Sequence, residues 1–214
     1  MRRRLPISEP MHYDWQDLIR QVAACDRCLL CQTRTHPAFG EGNPNAMVML
    51  VGEGPGRDED LTGRPFVGPA GQLLDRMLAA IDIRREDVYI ANVVKCRPPN
   101  NRNPEPEEAR ACLPYLRGQF ALVRPKIVLC LGSVAMKHLM LPEGKISRDR
   151  GIWMEKKGVW FLATYHPAAL LRDERKKREA WADLQLLREK IRELTEKNEG
   201  GQYVRTFQVG QYQE

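Results

Sequence analysis

Four short apolar runs rich in β-branched residues punctuate the chain at Met47–Val51, Val88–Val94, Ile127–Leu131 and Trp160–Thr164, and helical patterns fill most of the gaps between them. Strands that alternate with helices predict a mainly parallel sheet covered on both faces, because parallel neighbours need long crossovers and helices supply them. Leu73, Leu74, Met77, Leu78 and Ile81 share one face of a helix over Pro69–Ile81, with proline in the first turn. Ala109, Cys112, Leu116 and Phe120 do the same over Glu105–Val123. A last helix is predicted from about Glu174 to Leu194, with Trp181, Leu184, Leu187, Ile191 and Leu194 turned inward.

Three loops rich in chemistry leave the ends of these strands: Gly52–Gly71, Arg97–Pro106 and His166–Arg172. In an open α/β sheet, ligands bind outside the carboxyl ends of the strands, so the three loops are expected to face a common site. The chain has 214 residues, enough for one domain with a full core. That domain is expected over residues 13–197, between a flexible basic arm (1–12, opening with Arg2, Arg3 and Arg4) and a flexible tail (198–214). No apolar run reaches the roughly 20 residues of a membrane span, and Pro6, Ser8, Glu9 and Pro10 follow the arginines where a signal peptide needs an apolar stretch. A cytoplasmic monomer is expected. The net charge of +6 and pI of 9.1 suit a polyanionic partner, since Lys and Arg neutralise phosphates, but charge of this size does not by itself select nucleic acid.

Six cysteines in a chain without an export signal favour metal or cluster ligation over disulfides. Cys25, Cys28 and Cys31 form C-x2-C-x2-C, Cys96 ends a strand, and Cys112 lies on the apolar face of its helix. Cys130, inside an apolar strand, reads as a small core hydrophobe. Four thiolates hold a cubane cluster or close a tetrahedral zinc site, so five candidates leave one spare. By spacing, Cys25/Cys28 and Cys28/Cys31 are equal choices, and Cys112 could be buried without ligating. A redox reading of C-x-x-C is weakened by its place ahead of the first strand.

The glycine-rich segment Gly52-Glu53-Gly54-Pro55-Gly56 follows a strand, yet it has neither the Gly-Lys-Ser/Thr of a Walker loop nor dinucleotide-binding spacing. Taken with Glu59-Asp60, Gly63-Arg64-Pro65-Phe66-Val67-Gly68, Asn92 ahead of Lys95-Cys96-Arg97-Pro98-Pro99, and His166-Pro167 with Leu170-Leu171-Arg172, it resembles the family 4 uracil-DNA glycosylases in order and spacing over roughly residues 15–195. The resemblance implies a three-layer α/β/α sandwich with a central four-stranded, mainly parallel sheet. It also implies a [4Fe–4S] cluster held by Cys25, Cys28, Cys96 and Cys112, with Cys31 and Cys130 spare.

The activity it implies is removal of uracil from DNA, single- or double-stranded, to leave an abasic site for base excision repair. The target nucleotide must then be flipped out of the stack into a pocket. Phe66 would stack the base, and Asn92 would match O4 and N3–H of uracil while mismatching the amino group of cytosine. Glu53, Gly54 and Pro55 would line the remaining base edge, with the backbone of Glu53 and Gly54 as the contact. His166 would donate towards O2, where negative charge develops as the glycosidic bond breaks. The first motif of the best-known family in this superfamily carries a water-activating aspartate and a thymine-excluding tyrosine, where this chain has Gly54 and Gly56. Glu53 and Glu59 are the carboxylates left to orient water or stabilise a cationic sugar. Leu170, Leu171 and Arg172 would contact DNA as a wedge in the minor groove.

Each of these residues has a plainer reading: a core phenylalanine, a turn-forming asparagine, a capping histidine and two core leucines. A module that captures uracil-DNA without turnover is disfavoured because no basic insertion lies between Cys96 and Pro125. Excision of other deaminated bases, such as hypoxanthine or xanthine, stays open beside Asn92. A zinc-stabilised nucleic-acid-binding protein accounts for the cysteines and charge but leaves Phe66, Asn92 and His166 unexplained.

Overall fold

The computed structural model describes residues 14–199. In chain order it contains α1 (Trp15–Ala23), β1 (Glu41–Gly42), β2 (Val48–Gly52), α2 (Arg57–Thr62), α3 (Pro69–Ala79), β3 (Tyr89–Asn92), α4 (Pro106–Val123), β4 (Ile127–Leu131), α5 (Ser133–Leu139), α6 (Ile146–Asp149), β5 (Met154–Lys156), β6 (Val159–Thr164), α7 (Pro167–Arg172) and α8 (Lys177–Glu199). The expected basic arm and the tail beyond Glu199 lie outside the described residues, and α8 runs past its expected end at Leu194.

The strands form one six-stranded sheet in the order β1-β3-β2-β4-β6-β5. The four apolar runs become its parallel centre, β3-β2-β4-β6, and every residue of β2, β3 and β4 is buried, as a sheet covered on both faces requires. The sheet is larger than the four strands expected, because β1 and β5 pair antiparallel at its two edges. These edge strands are two and three residues long and mostly polar, so no apolar alternation marks them.

Side chains alternate between two cores. Met49, Val51, Ala91, Val128, Cys130 and Ala163 face α1, α4 and α5, where Leu18, Val22, Ala109, Cys112, Leu116 and Met136 meet them. Val48, Leu50, Ile90, Leu129, Leu131 and Leu162 face α3, α7 and α8, where Leu74, Leu78, Leu170, Leu184 and Leu187 pack. This is the α/β/α sandwich of the sequence reading. One inward assignment is corrected: Trp181 is 39% exposed. The buried line along α8 runs through Ala180, Leu184, Leu187 and Ile191, and Trp181 sits one residue, about 100°, off that line. Among the described residues, no helix is long and apolar enough to cross a membrane.

Candidate active site

The carboxyl ends of β2, β3, β4 and β6 open into one groove of about 1810 Å3, its open mouth included, lined by Glu53, Gly54, Pro55, Phe66, Asn92, Gly132, His166, Leu171 and Arg172 among others. The three predicted loops therefore converge as expected. Two of them are partly helical, since α2 lies within Gly52–Gly71 and α7 within His166–Arg172. Parallel bonding continues past the strand ends, with Val93 N–H donating to the Gly52 carbonyl at 3.0 Å and Val94 N–H to the Glu53 carbonyl at 3.1 Å. This fixes the Glu53 backbone against the segment that follows Asn92.

Asn92 is 1% exposed, and its Oδ1 is buried without a hydrogen-bond partner. A buried acceptor left without a partner costs about 1–3 kcal/mol, so Asn92 Oδ1 is an acceptor with capacity for a donor from the groove that it lines. Gly52 lies beside it in the ladder, and a Cβ on Gly52 would fall 2.4 Å from Asn92 Oδ1 and 2.5 Å from Phe66 Cζ. Only glycine leaves room for both side chains.

Phe66 has φ of +53°, a left-handed conformation that costs a bulky residue about 1–3 kcal/mol and persists only when its surroundings enforce it. They do so from both sides. Glu59 Oε1 accepts from Val67 N–H at 2.8 Å and Gly68 N–H at 2.9 Å, while its Oε2 accepts from Gly56 N–H at 3.0 Å. Arg85 Nη2, paired with Glu41 at 2.7 Å, donates to the Pro65 carbonyl at 2.6 Å. Gly71 accommodates the turned backbone, since a Cβ there would lie 1.8 Å from the Phe66 carbonyl oxygen. The aromatic ring is thereby brought 5.5 Å, centroid to centroid, from the ring of His166, at an interplanar angle of 30°.

His166 does cap α7: its Nδ1 accepts from Ala168 N–H at 3.2 Å. The capping reading and the catalytic one are compatible, because a ring nitrogen that accepts leaves the proton on Nε2, and that N–H is free to donate. Burial, with a contribution from Arg172, pushes the ring's pKa down to about 4, so it is neutral at pH 7. Behind it, Asp183 of α8 is fully buried, accepts from Thr164 Oγ1 at 2.6 Å and is forked by Arg150, with one contact at 2.7 Å. This clamp anchors the end of β6 immediately ahead of Tyr165 and His166.

The two candidate carboxylates separate cleanly. Glu59 is 8% exposed and its oxygens are engaged by three backbone N–H groups, so it organises the Phe66 loop. Glu53 is half-buried in the groove wall, and burial raises its pKa against the pull of Arg172. A side chain at Gly54 has no space, since its Cβ would lie 2.7 Å from Val94 Cγ2, and one at Gly56 would lie 2.7 Å from the pinned Glu59 Oε2. The wedge assignment is corrected for Leu170, which is 2% exposed and packs in the α3/α7/α8 core. Leu171, 45% exposed, and Arg172 stand at the lip of the groove.

On the opposite core face, Cys25, Cys28, Cys31, Cys96 and Cys112 line one pocket of about 330 Å3, its open mouth included, and Cys130 lies apart in β4. Among the described residues, no three His, Cys, Asp or Glu side chains converge on a point that would hold a single ion. A cubane differs from a single ion in that each thiolate binds a different iron, so the sulfurs surround a volume. The donors fit that chemistry: Cys96 and Cys112 are buried, Cys25 and Cys28 partly so, and two of the sulfurs accept N–H bonds, Cys96 Sγ from Arg34 Nη1 and Cys112 Sγ from Lys95 N–H, both at 3.2 Å.

Sequence reasoning missed Gly132 and Ser133, the fourth strand end on the groove, which the strand-end rule itself would have found. Within the Arg97–Pro106 loop, expected at the site only as a segment, Asn101, Arg102 and Asn103 form the groove wall, where Arg102 is held by a bidentate pair with buried Glu108 at 2.8 and 2.7 Å. The burial of Lys95, 1% exposed and named only within its motif, and of Gln119, 0% exposed, gave no signal because a polar residue in a strand end or helix reads as solvated.

Residues 39–185 match the uracil DNA glycosylase superfamily. The chain is 49% identical over 163 residues to the type-4 uracil-DNA glycosylase of Archaeoglobus fulgidus, covering 72% of this chain and 82% of that protein. It is 47% identical to the type-4 uracil-DNA glycosylases of Sulfurisphaera tokodaii and Thermotoga maritima, covering 71% and 72% of this chain and 73% and 81% of those proteins. With a matching fold, a pocket at the expected strand ends and this extent of similarity, the chain belongs to the uracil DNA glycosylase superfamily, among its type-4 uracil-DNA glycosylases.

Proposed function

We propose that the protein hydrolyses the N-glycosidic bond of deoxyuridine in DNA, releasing uracil and leaving an abasic site as the first step of base excision repair. The observation that carries the reading most directly is the empty, buried Asn92 Oδ1 beside Phe66. Uracil presents an N3–H donor and cytosine presents a bare N3 acceptor, so this atom selects between them at the edge where they differ. Phe66 stacks the flipped base, and the backbone of Glu53, Gly54 and Pro55 meets its remaining edge.

As the C1′–N1 bond breaks, its electron pair passes to the base and charge accumulates on O2. The neutral His166 donates its Nε2–H there, which stabilises the departing uracil anion without requiring an imidazolium. Glu53 rather than Glu59 is the carboxylate assigned to the sugar side. It balances the oxocarbenium charge at C1′ and takes a proton from the water whose oxygen bonds to C1′. Leu171 fills the gap left by the flipped nucleotide and Arg172 contacts phosphate.

Cys25, Cys28, Cys96 and Cys112 would hold a [4Fe–4S] cluster, and its contribution is structural. It ties the segment before β1 to the end of β3 and to α4, and so fixes the Arg97–Pro106 loop on the groove wall. The test is incubation of the purified protein with a labelled, uracil-containing single strand in excess. Free uracil and alkali-labile sites should accumulate over many turnovers. A stoichiometric, alkali-resistant protein–DNA adduct, or no product at all, would overturn the reading.

A further inference from the structure

The ammonium of Lys95 has no role in the chemistry above, although its side chain is among the largest that are fully buried. Its ammonium donates to the Asn92 carbonyl at 2.9 Å and to Gln119 Oε1 at 2.6 Å, both neutral acceptors. Gln119 is held in turn, donating through Nε2 to the Phe39 carbonyl at 2.7 Å and the Tyr89 hydroxyl at 3.0 Å. No carboxylate is among these partners. Burying an ammonium is costly, and a plain hydrophobe would fill the same space at no such cost. The backbone of the same residue reaches the cysteines, since Lys95 N–H donates to Cys112 Sγ at 3.2 Å.

We propose that Lys95 is a positioning residue that couples the thiolate cavity to base reading, its backbone N–H bonded to the Cys112 sulfur while its ammonium fixes the backbone from which Asn92 reads uracil. The ladder with Gly52 and the Val93 N–H bond hold this backbone on the β2 side, whereas Asn92 Oδ1 has no protein partner of its own. The position of the reading atom is therefore set through its backbone, and the carbonyl that Lys95 grips is the anchor supplied by a side chain. Without the ammonium, Asn92 would sample positions in which Oδ1 no longer meets N3–H.

The inference rests on Asn92 reading the base, and a double-mutant cycle under single-turnover conditions separates the two claims. Lys95→Met in the full-length, iron-replete protein should lower uracil excision roughly tenfold, while in an Asn92→Ala background the same change should lower it no further. Gln119→Met removes the second anchor of the ammonium with Lys95 in place, and should show the same background dependence. Equal losses with and without Asn92, for both variants, would make Lys95 merely structural and overturn the proposal. Native excision by Asn92→Ala alone would instead overturn the reading of Asn92 on which it rests.

Discussion

Asn92, the last residue of β3, is paired in register with Gly52, the last of β2, so closely that a Cβ on Gly52 would reach within 2.4 Å of Asn92 Oδ1. The same missing Cβ admits the Phe66 ring. The glycine that begins the first motif therefore makes room by its absence of side chain, and the two groups proposed to recognise the base share the space it leaves.

His166→Ala should lower kcat about 100-fold or more, the usual effect of removing one donor aimed at developing negative charge. The pH dependence is specific. The folded-state pKa of about 4 lies below the ordinary 6.5, so between these values the unfolded chain takes a proton that the folded one refuses. The stability contributed by neutral His166 is thus complete above pH 6.5 and is lost as pH falls towards 4. Excision by the native protein should show no step near pH 6.5 that His166→Ala removes, and such a step in the pH–rate profile would contradict a neutral donor.

Glu53 and Glu59 should respond differently to conversion to glutamine. Burial raises the pKa of Glu53, so its carboxylate is lost at a higher pH than that of an exposed glutamate, and activity should fall on that acid limb. Glu53→Gln should depress kcat across the range and abolish the limb. Glu59→Gln weakens bonds that hold a strained loop, so its main effect should be a stability loss of about 1–3 kcal/mol in denaturant melts. A Glu59→Gln protein of native stability with kcat reduced as far as in Glu53→Gln would reverse the two roles.

Leu170 and Leu171 are adjacent but should part in the same way. Leu170→Ala empties a core site and should cost about 2–5 kcal/mol of stability. Leu171→Ala should leave stability unchanged and slow excision from duplex more than from single strands, because only a duplex must be unstacked and its gap filled. Equal effects on both substrates would remove Leu171 from the wedge.

Cys96→Ala should abolish visible absorption and bound iron and lower the melting temperature, whereas Cys31→Ala and Cys130→Ala should retain both iron and absorption. Iron analysis of the purified variants checks this, and a cluster-free Cys96→Ala protein of native stability would contradict a structural role.

The parallel centre of the sheet was legible because a doubly covered strand must be apolar throughout, as Val48–Leu50 and Ile127–Leu131 are. The edge pairs Glu41↔Ile90 and Met154↔Phe161 were not, since so few residues carry no period. Phe66, Asn92 and His166 stood out through the motifs around them. Their supports were less legible: Glu59 stood out only as a candidate carboxylate for the chemistry, and Arg85, Asp183 and the Lys95 side chain act through carbonyls or buried polar groups of distant segments, so nothing local to each residue announces its partner. Leu170 and Leu171 could not be told apart by type, because the phase of a six-residue helix is set by what it packs against.

The most direct test of the central claim is the base selectivity of Asn92→Asp, measured as single-turnover release of uracil and of cytosine from otherwise identical oligonucleotides. A neutral aspartic acid or a carboxylate at this site replaces the amide donor with a group able to accept from the cytosine amino group. The account predicts slower uracil release and a cytosine-to-uracil ratio raised at least tenfold, about 1.4 kcal/mol of discrimination. Uracil excision at the native rate with no gain on cytosine would show that the orphaned acceptor beside Phe66 does not read the base.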